Sequence, residues 1–140
     1  MIYNAGVSTP SRIMQMRSKG YATFEDQDYD LNLVGIRSRN RRADSFDDIF
    51  LVMYKERGLW IEERYNCTVD AGAYWLENPY KEAGCAIVKA GQYRGLWSID
   101  KHRGKYDALC QKDNAKITVW RDQNKDLIHD HRNQESGFYG

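Results

Sequence analysis

Residues 49–65 read IFLVMYKERGLWIEERY, and this stretch decides the fold. Residues 49–55 and 59–65 are rich in β-branched and aromatic side chains, and the short turn Glu56-Arg57-Gly58 separates them. Two apolar runs on either side of a glycine-containing turn are typical of an antiparallel hairpin. The stretch therefore predicts two paired strands.

Further strands are predicted on both sides of this hairpin. Residues 31–36 alternate apolar and polar side chains, as a half-buried strand does. Shorter apolar runs predict strands at residues 73–76, 85–89, 96–99, 106–111 and 116–121. The last two are expected to form a second hairpin around Lys112-Asp113-Asn114. Strands at this spacing favour a sandwich or barrel-like sheet.

A helix is predicted at the N-terminus. Ser8-Thr9-Pro10 supplies a start, with Thr9 as the cap and Pro10 in the first turn, and Gly20 supplies an end. We expect residues 1–20 to form a helical extension and residues 21–140 a β-rich domain. The predicted class is thus mostly β with a short N-terminal helix.

The composition of the chain argues against some classes of function. The chain has 140 residues, 21 basic and 20 acidic, which leaves a net charge of +1. Proteins that bind nucleic acid usually carry a basic excess, so no nucleic-acid partner is expected. A mean hydropathy of −0.79 and the lack of a long apolar run predict no membrane partner. No secretory signal is visible at the N-terminus, which favours infected-host cytoplasm or a virion as the location.

Three cysteines, Cys67, Cys85 and Cys110, leave at least one thiol unpaired, and no CxxC motif occurs. We expect reduced thiols. Cys110 follows His102 by eight residues, but a nucleophile needs a base within hydrogen-bond reach and a lowered pKa. A free cysteine more often packs as a small apolar side chain, and that interpretation is favoured here.

Residues 122–130 read DQNKDLIHD and match the first part of an EF-hand calcium loop. The oxygen-bearing side chains at loop positions 1, 3, 5 and 9 are Asp122, Asn124, Asp126 and Asp130. Leu127 stands where the loop needs glycine, and Asn133 replaces the bidentate carboxylate. A solvated polar turn is the alternative. No cofactor is expected to be required, and any calcium would bind weakly as a structural ion.

A basic stretch and a set of aromatic side chains are the other candidates for binding. Residues 37–42 read RSRNRR and could hold phosphate or an acidic polymer, although three aspartates follow and favour a solvated loop. Rings in loops can stack on sugar faces, or they can form the core of a β domain. The rings concerned are Tyr74, Trp75, Tyr80, Tyr93, Trp97 and Tyr106.

Six short motifs together resemble one family. They are LNLVGIR at 31–37, SFDD at 45–48, YNCTVDAG at 65–72, YWLENP at 74–79, AGQYRG at 90–95 and HRGKYDAL at 102–109. The combination resembles the L,D-transpeptidase-like cell-wall proteins of gut Bacteroidetes and of their tailed phages, including crAss-like phages. The resemblance extends from about Gly20 to Gly140.

The resemblance implies a β-rich domain that transfers or hydrolyses acyl groups on peptidoglycan stem peptides. In that family a cysteine thiolate attacks the peptide carbonyl, a histidine acts as base, and backbone N–H groups hold the oxyanion. The family continues, after a segment like residues 137–140, into a strand with the histidine and a Ser-x-Gly-Cys turn that this sequence does not contain. Glu82-Ala83-Gly84-Cys85 imitates that turn too early in the chain, so the nucleophile is not assigned to Cys85.

Two functional expectations follow. Either the chain is the incomplete part of a peptidoglycan-active L,D-transpeptidase-like enzyme, or it is a non-catalytic module that binds cell wall or other virion proteins. In both cases the substrate contacts are expected within the resembling motifs. The residues selected are Tyr74, Tyr93, Arg94, His102 and Tyr106.

Overall fold

The computed structural model describes residues 2–113, 115–129 and 133–138, with the side chains of residue 2 and of residues 133–138 excepted. The chain divides into two compact units, Met1–Val69 and Asp70–Gly140. The predicted class, mostly β with a short N-terminal helix, is confirmed. In the described residues the strands form three open antiparallel sheets and no closed barrel.

The first unit is a four-stranded antiparallel sheet with one helix. Its elements are β1 (Ile2–Gly6), α1 (Ser11–Ser18), β2 (Asn32–Ile36), β3 (Asp48–Glu56) and β4 (Leu59–Cys67). The strand order is β1-β4-β3-β2, so the hairpin predicted from residues 49–65 occupies the centre. Strand β1 was not predicted, because its residues carry no alternating apolar pattern and gain their pairing from β4.

The turn of the β3–β4 hairpin has two residues, Arg57 and Gly58. Both have positive φ angles, 53° and 76°. This is the backbone of a type I′ turn, whose twist matches that of the strands it joins. The glycine in the sequence therefore identified the turn correctly.

Helix α1 begins one residue later than the sequence suggested. Pro10 occupies the cap position and no side chain caps the helix, so the prediction of Thr9 as the cap is wrong. Gly20 does end the helix, with φ 76°. Its N–H donates to the carbonyl of Arg17 at 3.0 Å and the N–H of Tyr21 donates to that of Met16 at 2.9 Å. These two bonds make a Schellman motif.

The core of the first unit lies between α1 and one face of the sheet. Its buried members are Ile13, Leu51, Met53 and Trp60, with Met16, Val34, Ile36 and Ile49 packed against them. Leu51 and Met53 are two residues apart on β3 and thus share a face. The opposite face of the sheet is left for other contacts.

The second unit contains two smaller sheets. Its elements are α2 (Ala73–Glu77), β5 (Cys85–Val88), β6 (Trp97–His102), β7 (Tyr106–Gln111), β8 (Lys116–Asp122) and β9 (Asn133–Phe138). Strands β5, β8 and β9 form one sheet, and β6 and β7 form a hairpin of their own. Neither helix of the described part is long and apolar enough to cross a membrane.

The strand predicted at residues 73–76 is wrong, because these residues form α2. The carbonyl of Gly72 accepts hydrogen bonds from the N–H groups of Trp75 and Leu76, which starts a helical turn. Only Leu76 is fully buried, while Tyr74 and Trp75 reach solvent. The aromatic side chains of this segment are typical of a strand, and they led to the prediction. A strand would alternate buried and exposed side chains, whereas here one side chain is buried and its neighbours are not.

The pairing predicted for the second hairpin is also wrong. Strand β7 pairs with β6, and β8 pairs with β5 and β9. Arg103 and Gly104 join β6 to β7 with positive φ angles of 52° and 68°, again a type I′ pair. Because this tight turn joins β6 to β7, β7 pairs with β6. Residue 114 of the turn that the sequence predicted lies outside the described residues.

Candidate functional site

A cleft of about 280 Å³ lies in the second unit. It is lined by Ala71, Trp75, Tyr80, Lys81, Gly84, Cys85, Ala86 and Arg121. Helix α2 and the loop that follows it supply the rings and Lys81, while the paired strands β5 and β8 supply the floor. The volume is at the small end for ligand pockets, and it suits one amino-acid or sugar unit better than a large ligand.

The floor of the cleft depends on a close approach of two backbone segments. Gly84 has φ 104°, and a Cβ atom there would overlap the carbonyl group of Asp122. The guanidinium of Arg121 donates to the carbonyl of Gly84 at 3.3 Å. A side chain at position 84 would therefore push β5 away from β8 and widen the cleft.

Cys85 lines the cleft as a thiol. Burial, and then the carboxylate of Asp122, raise the pKa of this thiol above its ordinary value, and Arg121 opposes the shift. A nucleophilic cysteine needs a lowered pKa and a neighbouring base. The surroundings of Cys85 thus favour a wall residue over a nucleophile, and all three cysteines are free thiols.

A buried histidine holds one edge of the cleft. The Nε2 atom of His129 lies 2.9 Å from the carbonyl oxygen of Ala71, so it carries a proton and donates it. Its Nδ1 atom lies 3.6 Å from a carboxylate oxygen of Asp70, and both side chains are almost fully buried. His129 thereby ties the segment before α2 to the segment that follows β8.

The predicted substrate-binding residues all belong to the second unit, in separate places. Tyr74 is exposed on α2, and its ring meets that of Trp75 edge-on at 5.1 Å. Tyr93 is half-buried, and its hydroxyl lies 2.6 Å from the carbonyl of Lys89 and 3.1 Å from that of Thr118. Since a hydroxyl has one proton, the donor of Tyr93 is already used to join the ends of two strands.

His102 and Tyr106 lie in the β6–β7 hairpin, and Arg94 lies close before it in the chain. Arg94 is exposed in the loop between β5 and β6. His102 and Tyr106 are directly opposed on the β6–β7 hairpin, with ring centroids 5.4 Å apart. Cys110 is opposite Ser98, four positions along β6 from His102, so the structure does not bring this histidine to that thiol.

The predicted calcium residues are only partly covered. The Asp122 side chain is buried and accepts the N–H of Asn124 at 3.0 Å, and Asp126 accepts the N–H of Ile128 at 2.9 Å. These are hydrogen bonds of an Asx type, which carboxylates form in polar turns. In residues 2–113, 115–129 and 133–138 no group of three His, Cys, Asp or Glu side chains is arranged to hold a metal. Asp130 lies outside the described residues, so the calcium site stays a prediction.

The arginine-rich stretch at residues 37–42 is an organised polar loop. Asp48 accepts the N–H of Ser38 at 2.7 Å and that of Val69 at 2.9 Å. Asp47 accepts the Ser38 hydroxyl at 3.0 Å and the Asn40 amide at 3.1 Å. Asp48 therefore holds the loop backbone at Ser38, and Asp47 holds the side chains of Ser38 and Asn40.

Comparison with protein-family models, with curated proteins and with solved structures found no match to this chain.

Sequence reasoning missed Lys81, Arg121 and the Asp70–His129 pair as parts of one site. Lys81 and Arg121 are 40 residues apart in the chain, and Asp70 and His129 are 59 apart. No local spacing joins such residues. Lys81 precedes β5 and meets Arg121 of β8 at the cleft, and His129 reaches Asp70 and Ala71 from the segment after β8. The one local signal was the aromatic content of residues 74–80, and the ring that lines the cleft proved to be Trp75 instead of Tyr74.

Proposed function

We propose that this protein acts on bacterial peptidoglycan, as an L,D-transpeptidase-like protein that transfers or hydrolyses acyl groups on stem peptides. The observation that carries the proposal is the cleft of the second unit, with Trp75 and Tyr80 at its walls. Two of the motifs that carry the family resemblance, at residues 65–72 and 74–79, supply Ala71 and Trp75 to this cleft. In this proposal the cleft holds a stem-peptide residue or the adjoining sugar.

The chemistry of the lining fits that ligand. Trp75 is 53% exposed and Tyr80 is 93% exposed, so both rings are accessible to a sugar face or an alkyl chain. Stem peptides carry carboxylates, and Lys81 and Arg121 place two cationic side chains at the cleft. Charge-assisted hydrogen bonds from such groups to a carboxylate are stronger than neutral ones.

A second candidate is a module that binds the cell wall, or another virion protein, without turnover. The raised pKa of the Cys85 thiol favours it, because the cysteine at the cleft is held in its protonated form. Both candidates are compatible with an origin in a phage or in Bacteroidetes, and with action in the infected host or in a virion.

Co-sedimentation with purified peptidoglycan sacculi tests the binding that both candidates share. The wild-type protein should pellet with sacculi, and Trp75→Ala should weaken this about threefold to tenfold, as loss of a stacking ring does. Trp97→Ala is the matched control, because Trp97 is a similarly exposed ring on β6 and does not line the cleft. Equal losses for both variants, or no sedimentation of wild type, would refute the role of the cleft.

Incubation with purified muropeptides, followed by mass spectrometry, separates the enzyme from the binding module. New cross-links or trimmed stems would support an enzyme, and a Cys85→Ala variant would show whether this thiol takes part. Retained binding with unchanged muropeptides would support the second candidate for this polypeptide.

A further inference from the structure

The sheet of the first unit has a second face that α1 does not cover. Alternation along the strands places Tyr3 of β1, Tyr54 of β3, and Glu63 and Tyr65 of β4 on this face. Tyr29, in the connector before β2, stacks on Tyr54 with ring centroids 5.7 Å apart. We call these five residues the tyrosine face.

The tyrosines of this face are arranged around carboxylates. The hydroxyl of Tyr65 donates to Glu63 at 3.2 Å, and Glu63 also accepts a hydrogen bond from Tyr54. Tyr3 is directly opposite Glu63 in the β1–β4 register. At the other end of the stack, Tyr29 is hydrogen-bonded to Glu56. Each carboxylate is therefore held in place beside one or more aromatic rings.

The pKa of each of three phenols on this face is raised. Burial, followed by Glu63, raises the pKa of Tyr54 and that of Tyr65. The hydrogen bond to Glu56 raises the pKa of Tyr29. A carboxylate contributes to each of these shifts, so Glu63 and Glu56 lie close enough to the phenols to act on them.

The charges of the sheet are divided unequally between its two faces. Strand positions on the same side of the sheet as the tyrosine face carry Asp48, Glu56 and Glu63 and no basic residue. Asp48 is buried and accepts the N–H groups of Ser38 and Val69, so Glu56 and Glu63 are the two carboxylates that a ligand could reach. Positions on the α1 side carry Lys55 and Arg64 as well as an acid, and Lys55 lies over the Trp60 ring at 5.2 Å. On the α1 side a cation of the protein itself lies over an aromatic ring, whereas on the other side Tyr3 and Tyr65 are exposed beside the half-exposed carboxylate of Glu63.

We propose that the tyrosine face binds a lysine- or arginine-bearing segment of another polypeptide. Tyr3 is 53% exposed and Tyr29 is 60% exposed, so their rings are accessible to a cation in the way that aromatic recognition sites require. Glu63 and Glu56 supply the opposite charge beside those rings. A sheet face is broad and shallow, and this shape fits an extended polypeptide better than a small molecule.

Fluorescence anisotropy of labelled tetralysine, titrated with the intact protein, tests this inference. Wild type should bind tetralysine, and it should not bind the same peptide with acetylated side chains. Glu63→Gln should weaken binding about threefold to fivefold, the range of an exposed ion pair. Tyr3→Ala should weaken it about twofold to fivefold, the range of an exposed cation–π contact.

Glu62→Gln is the matched control, because Glu62 is the adjacent residue of β4 on the opposite face and its substitution removes the same charge. It should change the affinity less than twofold. An equal effect of the two glutamine variants would show that net charge alone attracts the peptide, and it would overturn the proposal. A dimer of the free protein that Glu63→Gln dissociates would also overturn it, since a second copy would then occupy the face. Circular dichroism and urea unfolding confirm that each variant is folded.

Discussion

A Cβ atom on Gly84 would overlap the carbonyl group of Asp122, and the φ angle of 104° is one that other residues rarely adopt. Both effects come from the same cause, which is the close passage of the loop before β5 beside the end of β8. Gly6 provides a contrast, because a Cβ atom there would meet nothing within 4 Å. The two glycines therefore differ in the space around them although the sequence shows the same residue.

Gly84→Ala is expected to lower the free energy of unfolding by at least about 2 kcal/mol, from backbone strain and the shift of β5 together. Gly6→Ala should change it by less than about 1 kcal/mol. Urea unfolding followed by tryptophan fluorescence measures both. A Gly84→Ala protein as stable as wild type would mean that the two segments separate without cost, and that the cleft floor is not as close as described.

The two hairpins show which features of a strand pair can be predicted from the sequence and which cannot. Apolar alternation and Gly58 were sufficient to predict β3, β4 and their turn, because all three signals are local. The partner of β7 was predicted wrongly, because two turns competed for it and the pair Arg103-Gly104 made the tighter one. The positions of these strands could thus be predicted from residue type. Which strands pair depended on the backbone angles of the turns, and only some dipeptides adopt those angles.

Both type I′ turns have arginine at a position with positive φ, where asparagine is better tolerated. Arg57→Asn is expected to raise the free energy of unfolding by about 0.5 kcal/mol through relief of this strain. The backbone N–H of residue 57, which donates to Asp28 at 2.8 Å, is retained in the variant. Urea unfolding of Arg57→Asn and of Arg103→Asn provides the measurement. Arg57→Val serves as the opposite control and should destabilise, since β-branched residues avoid positive φ.

Over the whole molecule, several protons are bound more tightly in the folded state than their groups would bind them in water. Burial is the first cause at Cys67, Cys85, Tyr54 and Tyr65, and carboxylates add to it. The ordinary pKa is 9.0 for the thiols and 10.0 for the phenols, and every one of these shifts is upward. The unfolded chain therefore releases these protons first as the pH rises.

Stability should consequently be unaffected by these groups below about pH 9 and should decline above it, as the unfolded state loses protons that the folded state retains. The exposed phenol of Tyr65 contributes less than the buried groups because solvent screens its charge. Urea unfolding at about pH 7.5, 9 and 10.5 gives the slope. Glu63→Gln should flatten it, since Glu63 acts on both Tyr54 and Tyr65, whereas Glu62→Gln should not. A stability that rises with pH over this range would contradict the assigned causes.

The candidate site was harder to predict than the fold, because the residues that form it are far apart along the chain. The aromatic content of residues 74–80 pointed to the segment that includes Trp75 and Tyr80 of the cleft, and Tyr93 was selected as a substrate contact although its hydroxyl is hydrogen-bonded within the protein. That contact proved to be with backbone carbonyls of the protein itself. The histidine at the cleft edge lies within the predicted calcium loop, but nothing local linked it to its partner Ala71, which lies 58 residues earlier.

That separation has a consequence for how the protein is made. At about 5–20 residues per second, the ribosome adds the 58 residues from Gly72 to His129 in about 3–12 s. The first unit has all its strands before this interval begins, so it can fold early. During the interval the Ala71 carbonyl lacks its bond from His129, and until residue 122 has been added the cleft also lacks the strand β8 that forms part of its floor. The cleft is therefore complete only when His129 has been added, although Trp75 and Tyr80 stay exposed to solvent in the folded protein as well.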